Sequence, residues 1–308
     1  MTTYILPYVD PDTDGVGSAL GYADFRRRTS GDPFEAVIFG SCDEETTFLL
    51  HHFDLDPPRI VVALPPEAPL ILVDTHHPNQ LPSTLPLSMV VEILDHHPAG
   101  KPAAFPNATI ENELIGAVAT LVAEKLVAYG DAPKFSLAGI LAAAIVSNTL
   151  NFAAPSTTQR DRDAFRWLTR FTRVDNALIA EMFVARSQWV AMYATEQVLI
   201  RDYKQFEFDG VSVGIAQIEM CDSDKLTNRL DLLAALEALK GARRLTHVLL
   251  NVVDLGRSKS TLITPNVETQ RLLYAVGGIE FREGVAHCDR IYLRKTELVP
   301  WLQRGSSK

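Results

Sequence analysis

Short, nearly continuous apolar runs recur along the first half of the chain, each followed by a polar turn and a stretch with helical spacing. Tyr4-Ile5-Leu6 leads through an acidic loop into a small-residue helix expected over about Gly17–Arg27. Ala36-Val37-Ile38-Phe39 leads to a turn, after which Asp43-Glu44-Glu45 opens a helix to about Phe53, with acids where the helix dipole favours them. Ile60-Val61-Val62, Leu70-Ile71-Leu72-Val73 and Val90-Val91-Glu92-Ile93-Leu94 are further strands. Runs this apolar suit strands covered on both faces. Gly116–Tyr129 and Phe135–Val146 read as helices, and Ser156 with Gln159 three residues on reads as a capping box for a helix through Trp167. Strands alternating with helices predict an α/β fold with a mostly parallel sheet.

The pattern changes after Ala194. Phe206-Glu207-Phe208 and Val211–Ile215 flank Asp209-Gly210, a two-residue hairpin signal. A helix over Leu226–Leu239, strands over His247–Val253 and Lys259–Ile263, a helix over Val267–Ala275 and a terminal segment around Ile291–Val299 follow. Two domains are expected, residues 1–188 and a smaller α/β unit over 195–308, with a linker at about 187–194.

Composition narrows the function classes. The chain has 308 residues, 47% hydrophobic and 22% charged, an ordinary globular balance with enough length for two cores. A formal net charge of −9 disfavours a nucleic-acid footprint but leaves room for a local basic pocket. The apolar run Leu137–Val146 is about half of what a bilayer requires, and no basic-then-apolar leader precedes Pro7, so neither a membrane span nor secretion is expected. Cys42, Cys221 and Cys288 lie far apart without CxxC spacing and read as reduced thiols of a cytoplasmic protein.

Chemistry is carried by where the acids fall. Asp10, Asp12 and Asp14 follow the first strand, Asp74 follows Leu70–Val73, and Asp95-His96-His97 follows Val90–Leu94. Carboxyl ends of parallel strands share one edge of the sheet, so the three clusters converge there. Crowded carboxylates repel unless cations neutralise them, and carboxylate with imidazole suits Mn²⁺, Mg²⁺ or Zn²⁺. Two ions held in this way would activate a water and clamp phosphoryl oxygens. The blander readings are that Asp14 caps the next helix and Asp74 is a turn residue. A calcium EF-hand loop from Asp10 would need Glu at its twelfth position, where Gly21 stands.

Asp10-Pro11-Asp12-Thr13-Asp14, Gly40–Leu50, Leu72-Val73-Asp74, Leu94-Asp95-His96-His97, Ile145-Val146-Ser147-Asn148-Thr149, Lys204 and Leu293–Pro300 occur in the order and spacing of a known family. The chain resembles the DHH phosphoesterases, and among them the manganese-dependent family II inorganic pyrophosphatases. The resemblance implies a DHH domain followed by a DHH-associated domain, with the active site in the cleft between them. It implies that Asp12 holds a first metal, Asp14 and His96 a second, and Asp74 bridges both. It gives His97, Lys204, Arg294 and Lys295 to the substrate phosphates, pyrophosphate or a short polyphosphate. The implied cofactor is Mn²⁺, with Mg²⁺ or Co²⁺ as alternatives, two ions being expected and one left open. Pairing into a homodimer is carried over from bacterial relatives.

Four positions depart from the family pattern. Tyr8 stands where it has a metal-binding His, Asn148 where it has a ligand Asp, Thr75 where it has a His, and Thr296-Glu297 where it has Lys-Gln. Tyr8 is a poor ligand at neutral pH, since a phenol ionises only near pKa ~10. Asn148 offers a carbonyl oxygen without charge. Three functions stay open on this basis: a pyrophosphatase, a short-chain exopolyphosphatase or nucleotide phosphoesterase, and a catalytically degenerate phosphate-binding protein. His76 and His77 either face solvent before Pro78, or one of them turns to the first metal and replaces the imidazole missing at position 8.

Overall fold

A computed structural model describes residues 1–98 and 100–306. The chain divides into two compact units, Met1–Met182 and Phe183–Lys308. Residues 187–194, expected as a linker, contain a 3₁₀ turn, Gln188–Ala191, whose Trp189 and Val190 are buried in a core of the second unit.

In the first unit the strands are β1 (Thr3–Leu6), β2 (Phe34–Ile38), β3 (Arg59–Ile60), β4 (Leu70–Val73), β5 (Val90–Asp95) and β6 (Thr109–Asn112). All pair in parallel, in the order β3-β2-β1-β4-β5-β6. Leu6, Val37, Leu70, Leu72 and Ile93 form part of the core on the sheet. The helices are α1 (Thr13–Ser30), α2 (Glu44–His52), α3 (Val118–Tyr129), α4 (Phe135–Asn148), α5 (Gln159–Leu168) and α6 (Asn176–Ser187), the last crossing the division between units. The strand order reverses direction between β1 and β4. In doubly wound sheets, that is where the connections part and leave a crevice at the carboxyl ends of the strands.

Local sequence explains the elements around that crevice. Asp12, not Asp14, is the N-cap of α1, and its carboxylate accepts from the backbone N–H of Asp14 and Gly15. The helix therefore starts at Thr13, four residues ahead of expectation. Gly17 and Gly21 bring α1 close to α4, since a Cβ at 17 would lie 3.3 Å from the Ile140 carbonyl. The capping box of α5 is Thr158 with Asp161, two residues beyond the expected pair. The strand expected over Ile60–Val62 shrinks to Arg59–Ile60, because it lies at the sheet edge with Ile60 and Val62 exposed.

The second unit comprises α7 (Thr195–Arg201), β7 (Tyr203–Phe208), β8 (Val211–Met220), α8 (Asp224–Thr227), α9 (Leu232–Arg243), β9 (His247–Asp254), β10 (Lys259–Ile263), α10 (Val267–Gly277), β11 (Val285–Cys288) and α11 (Val299–Ser306). Its mixed sheet runs β11-β10-β9-β8-β7, with β8 and β9 parallel and the other neighbours antiparallel. Asp209 and Gly210 both have positive φ, +49° and +81°, as a type I′ hairpin turn requires. The single helix expected over Leu226–Leu239 is two, α8 and α9. Arg294–Leu298 forms one π turn before α11. No helix among the described residues is long and apolar enough to cross a membrane.

Candidate metal centre

The carboxyl ends of β1, β4 and β5 bring the predicted acids together. Asp74, the first residue after β4, has φ +64°. A left-handed non-glycine residue stores strain that the surrounding fold must hold, a common feature of functional sites. Its N–H donates to the Leu94 carbonyl, which locks the turn against β5. The side chain is buried, and Oδ1 has no hydrogen-bond donor with acceptable geometry. Facing Oδ1 are His96 Nε2 at 3.2 Å and His97 Nδ1 at 3.8 Å. One ligand atom each from Asp74, Asp95, His96 and His97 fits within 4.8 Å.

His96 is oriented by its other nitrogen, and His97 by the same nitrogen that lies near Asp74. His96 Nδ1 lies 2.9 Å from the Ile115 carbonyl, which directs Nε2 at Asp74. His97 Nδ1 lies 2.9 Å from Asp95 Oδ1, and that oxygen also accepts from the N–H of His96. A ring N–H held by a carbonyl or carboxylate is the usual support for a metal-binding imidazole. Burial opposes ionisation of Asp95, but the hydrogen bonds from His97 and His76 outweigh it and hold the carboxyl down at about 2.

Around Asp74 the field is strongly negative. Burial and then the Asp14 charge raise the Asp74 carboxyl well above the carboxylate range. Burial pushes Asp14 up to about 7, against the pull of His96 and with the push of Asp12. Burial disfavours charge on His96, yet the adjoining Asp74 and Asp14 carboxylates carry it up to about 10. A buried oxygen without a donor, beside an imidazole nitrogen and among carboxylates, fits one divalent cation.

The remaining predicted ligands take other roles. Asp14 lies under the N-terminus of α3, where its oxygens accept from Val118 N at 2.7 Å and Ala119 N at 2.8 Å. Asn148 donates through Nδ2 to Asp14 Oδ2 at 3.2 Å and to the Gly116 carbonyl at 2.9 Å. The Tyr8 hydroxyl accepts from Asp12 N, and burial raises its pKa so far that the phenol keeps its proton. His76 fits neither expectation. It is buried with Nδ1 bonded to Asp95 Oδ2, and a Cβ at Gly100 would overlap Nε2, so no ring nitrogen faces an ion. His77 Nδ1 accepts from Asn79 N and caps a short turn.

Within the second unit, Lys204, Arg294 and Lys295 gather into one basic cluster. Partial burial, then the charges of Lys295 and Arg294, hold the Lys204 ammonium below its ordinary value. The Arg294 guanidinium points into the protein. It donates to the Asp202 carbonyl at 2.6 Å and Asp202 Oδ1 at 2.7 Å, while its Nε is buried without an acceptor. Arg294 N donates to Gln217 Oε1, which also accepts from Asn251. This clamp ties the start of β7, which carries Lys204, to the π turn that carries Lys295.

Sequence reasoning did not pick out Asp161, Asp202, Gln217 or the second-layer role of Asp95. Asp161 had a signal, since Thr158-x-x-Asp161 is itself a capping-box pattern. Asp202 and Gln217 had none, because their importance comes from pairing across the sheet.

Comparison with known proteins gives the family and the fold. Residues 2–145 match the DHH family N-terminal domain and residues 180–304 the DHHA2 domain. A Deinococcus radiodurans protein assigned as a manganese-dependent inorganic pyrophosphatase is 30% identical over 97% of both chains. The manganese-dependent inorganic pyrophosphatase of Methanothrix thermoacetophila is 27% identical, covering 99% of this chain and 98% of its own. The fold is shared with a Methanococcus jannaschii crystal structure assigned as a family II inorganic pyrophosphatase. That match has a TM-score of 0.74 at 24% identity, over 99% of this chain and 100% of that one.

Proposed function

This chain belongs to the manganese-dependent inorganic pyrophosphatase family of the DHH phosphoesterases, and from that premise we propose that it is a Mn²⁺-dependent hydrolase of pyrophosphate. The observation that carries the reading is the buried Asp74 Oδ1, without a donor, 3.2 Å from His96 Nε2 at the carboxyl edge of the sheet. Asp74 and His96 would hold the ion, adjoined by Asp12. Bound there, the ion would activate a water for attack on phosphorus and offset charge on the phosphoryl oxygens. His97 would meet the substrate, its ring fixed by Asp95 and its side chain more open than that of His96. Lys204 and Lys295 would neutralise the phosphates, and Arg294 would position them through Asp202. No disulfide joins Cys42, Cys221 or Cys288, which fits a reducing cytoplasm, and the family reading carries a homodimer with it.

The test is phosphate release from pyrophosphate, tripolyphosphate and a nucleotide ester by Mn²⁺-loaded chain. Preference for pyrophosphate is expected. Faster release from tripolyphosphate or the ester would move the assignment to another phosphohydrolase of the superfamily, and no release from any of them would refute hydrolysis.

A further inference from the structure

We infer that the metal centre of this chain holds a single divalent ion, because the N-terminus of α3 and the Asn148 amide occupy the coordinating oxygens of Asp14. The inference rests on the metal-dependent reading above and deepens it.

A carboxylate offers about four lone-pair directions. Asp14 Oδ1 accepts from Ala119 N at 2.8 Å and Ser18 Oγ at 3.3 Å. Asp14 Oδ2 accepts from Val118 N at 2.7 Å and Asn148 Nδ2 at 3.2 Å. All four directions are taken, and Asp14 itself is 1% exposed. An ion on Asp14 would displace at least one of these donors into a buried setting without an acceptor.

The orientation of the Asn148 amide is fixed by what surrounds it. Asp14 Oδ2 and the Gly116 carbonyl are both acceptors, so the group facing them is the NH₂ and not the carbonyl oxygen. Gly116 N is held by both oxygens of Asp161 at 3.1 and 2.9 Å, which anchors the residue that carries this carbonyl. A Cβ at 116 would also lie 2.9 Å from Asp161 Oδ2. Asn148 therefore presents partial positive charge to Asp14, at the point where a second cation would stand.

Asp74 is the opposite case. Its Oδ1 faces His96 Nε2 at 3.2 Å and His97 Nδ1 at 3.8 Å; that His96 nitrogen also lies 3.3 Å from Asn148 Nδ2, and the other nitrogen of the ring is tied to Ile115. Two ligands about 2.1 Å from one ion and at right angles to each other lie roughly 3.0 Å apart. The observed 3.2 Å is close to that bite.

The experiment counts ions on the full chain, stripped with a chelator and titrated with Mn²⁺, by calorimetry, elemental analysis and electron paramagnetic resonance. One tight equivalent with the six-line signal of an isolated ion is expected. Two tight equivalents with an exchange-coupled signal would overturn the single-ion inference and leave the metal-dependent reading standing. No bound ion would overturn both. In the variant Asn148→Asp, checked for folding by circular dichroism, a second equivalent and the coupled signal are expected. A folded variant that still binds one ion would refute the role given to Asn148. The wild-type count decides the stoichiometry even if that variant does not fold.

Discussion

Asp161 is the residue on which the geometry of the Asn148 corner depends, and removing it gives a measurable cost. The side chain is fully buried, and it accepts from Gly116 N, from Thr120 Oγ1 at 2.7 Å, and from both the N–H and hydroxyl of Thr158 at 2.7 Å. In Asp161→Ala, Thr120 can turn its hydroxyl to a helix carbonyl and half-buried Thr158 can reach water. Gly116 N cannot reach either, and one buried N–H without an acceptor costs about 1–3 kcal/mol. Loss of the capping box adds about 1 kcal/mol. The total is roughly 2–4 kcal/mol, a large share of the 5–15 kcal/mol that holds a typical protein together. For a unit of this size about 2–4 °C accompanies each kcal/mol, so the apparent melting midpoint should fall by roughly 4–16 °C. Asp161→Asn keeps the volume but turns an NH₂ toward existing donors, and it should lose nearly as much. The control is Asp163→Ala on the same helix, where an exposed carboxylate pairs with Gln159 and Arg166, and about 0.5 kcal/mol is expected. Midpoints for Asp161→Ala and Asp163→Ala that agree within 2 °C would refute the clamp.

Three further outcomes rest on other parts of the fold. Gly139→Ala gains helix propensity of about 1 kcal/mol in α4, but its Cβ overlaps the ring of buried Phe53, and overpacking costs about 1–3 kcal/mol. The net effect should be a lower midpoint, and a higher one would show that the ring yields freely. Arg294→Ala should raise KM for pyrophosphate on the order of tenfold, equal to about 1.4 kcal/mol, while bound Mn²⁺ stays constant. Loss of metal in that variant would misplace Arg294. His247 is buried with Nδ1 on Thr269, and burial lowers its pKa below the ordinary 6.5. The unfolded chain then binds the proton more tightly, so this contribution to stability is present above pH 6.5 and is lost as pH falls through the lower folded value. Melting in mildly acidic buffer should show that loss in the wild type and not in His247→Gln.

Elements with strong local signals were legible in the sequence, and elements defined by neighbours were not. β4 and β5 are runs of Val, Ile and Leu buried in the middle of a parallel sheet, and such runs declare themselves. The Asp209-Gly210 hairpin declares itself through turn chemistry. β6 has the sequence Thr-Ile-Glu-Asn at an edge, and β11 is Val-Ala-His-Cys, so neither carries periodicity enough to stand out. At the metal centre, convergence of Asp12, Asp14, Asp74 and His96 was legible from their positions after strands, whereas Asn148, at the end of α4, came from the family resemblance alone. Which of them keeps a free lone pair was not. That depends on where the N-terminus of α3 lies relative to Asp14, a separation of 104 residues along the chain. His76 was misjudged for the same reason, since its burial is made by Asp95 and by the approach of Gly100.

The identity of residue 148 and the number of cations are one choice, not two. With Asp at 148, a carboxylate would replace an NH₂ between Asp14 Oδ2 and the Gly116 carbonyl, so that three acceptors would meet with no donor among them. Buried acceptors in that arrangement repel strongly and need a cation to hold them. With Asn, the same space closes by two hydrogen bonds, and the negative charge left to be balanced falls by one. Asp14 gains further compensation from the two N–H groups at the start of α3, where a helix dipole favours an anion. The charge that remains lies on Asp74 Oδ1, beside His96 Nε2 at 3.2 Å. Tyr8 agrees with this balance, because its protonated hydroxyl lies against Asp12 and adds no ligand that a second ion would require.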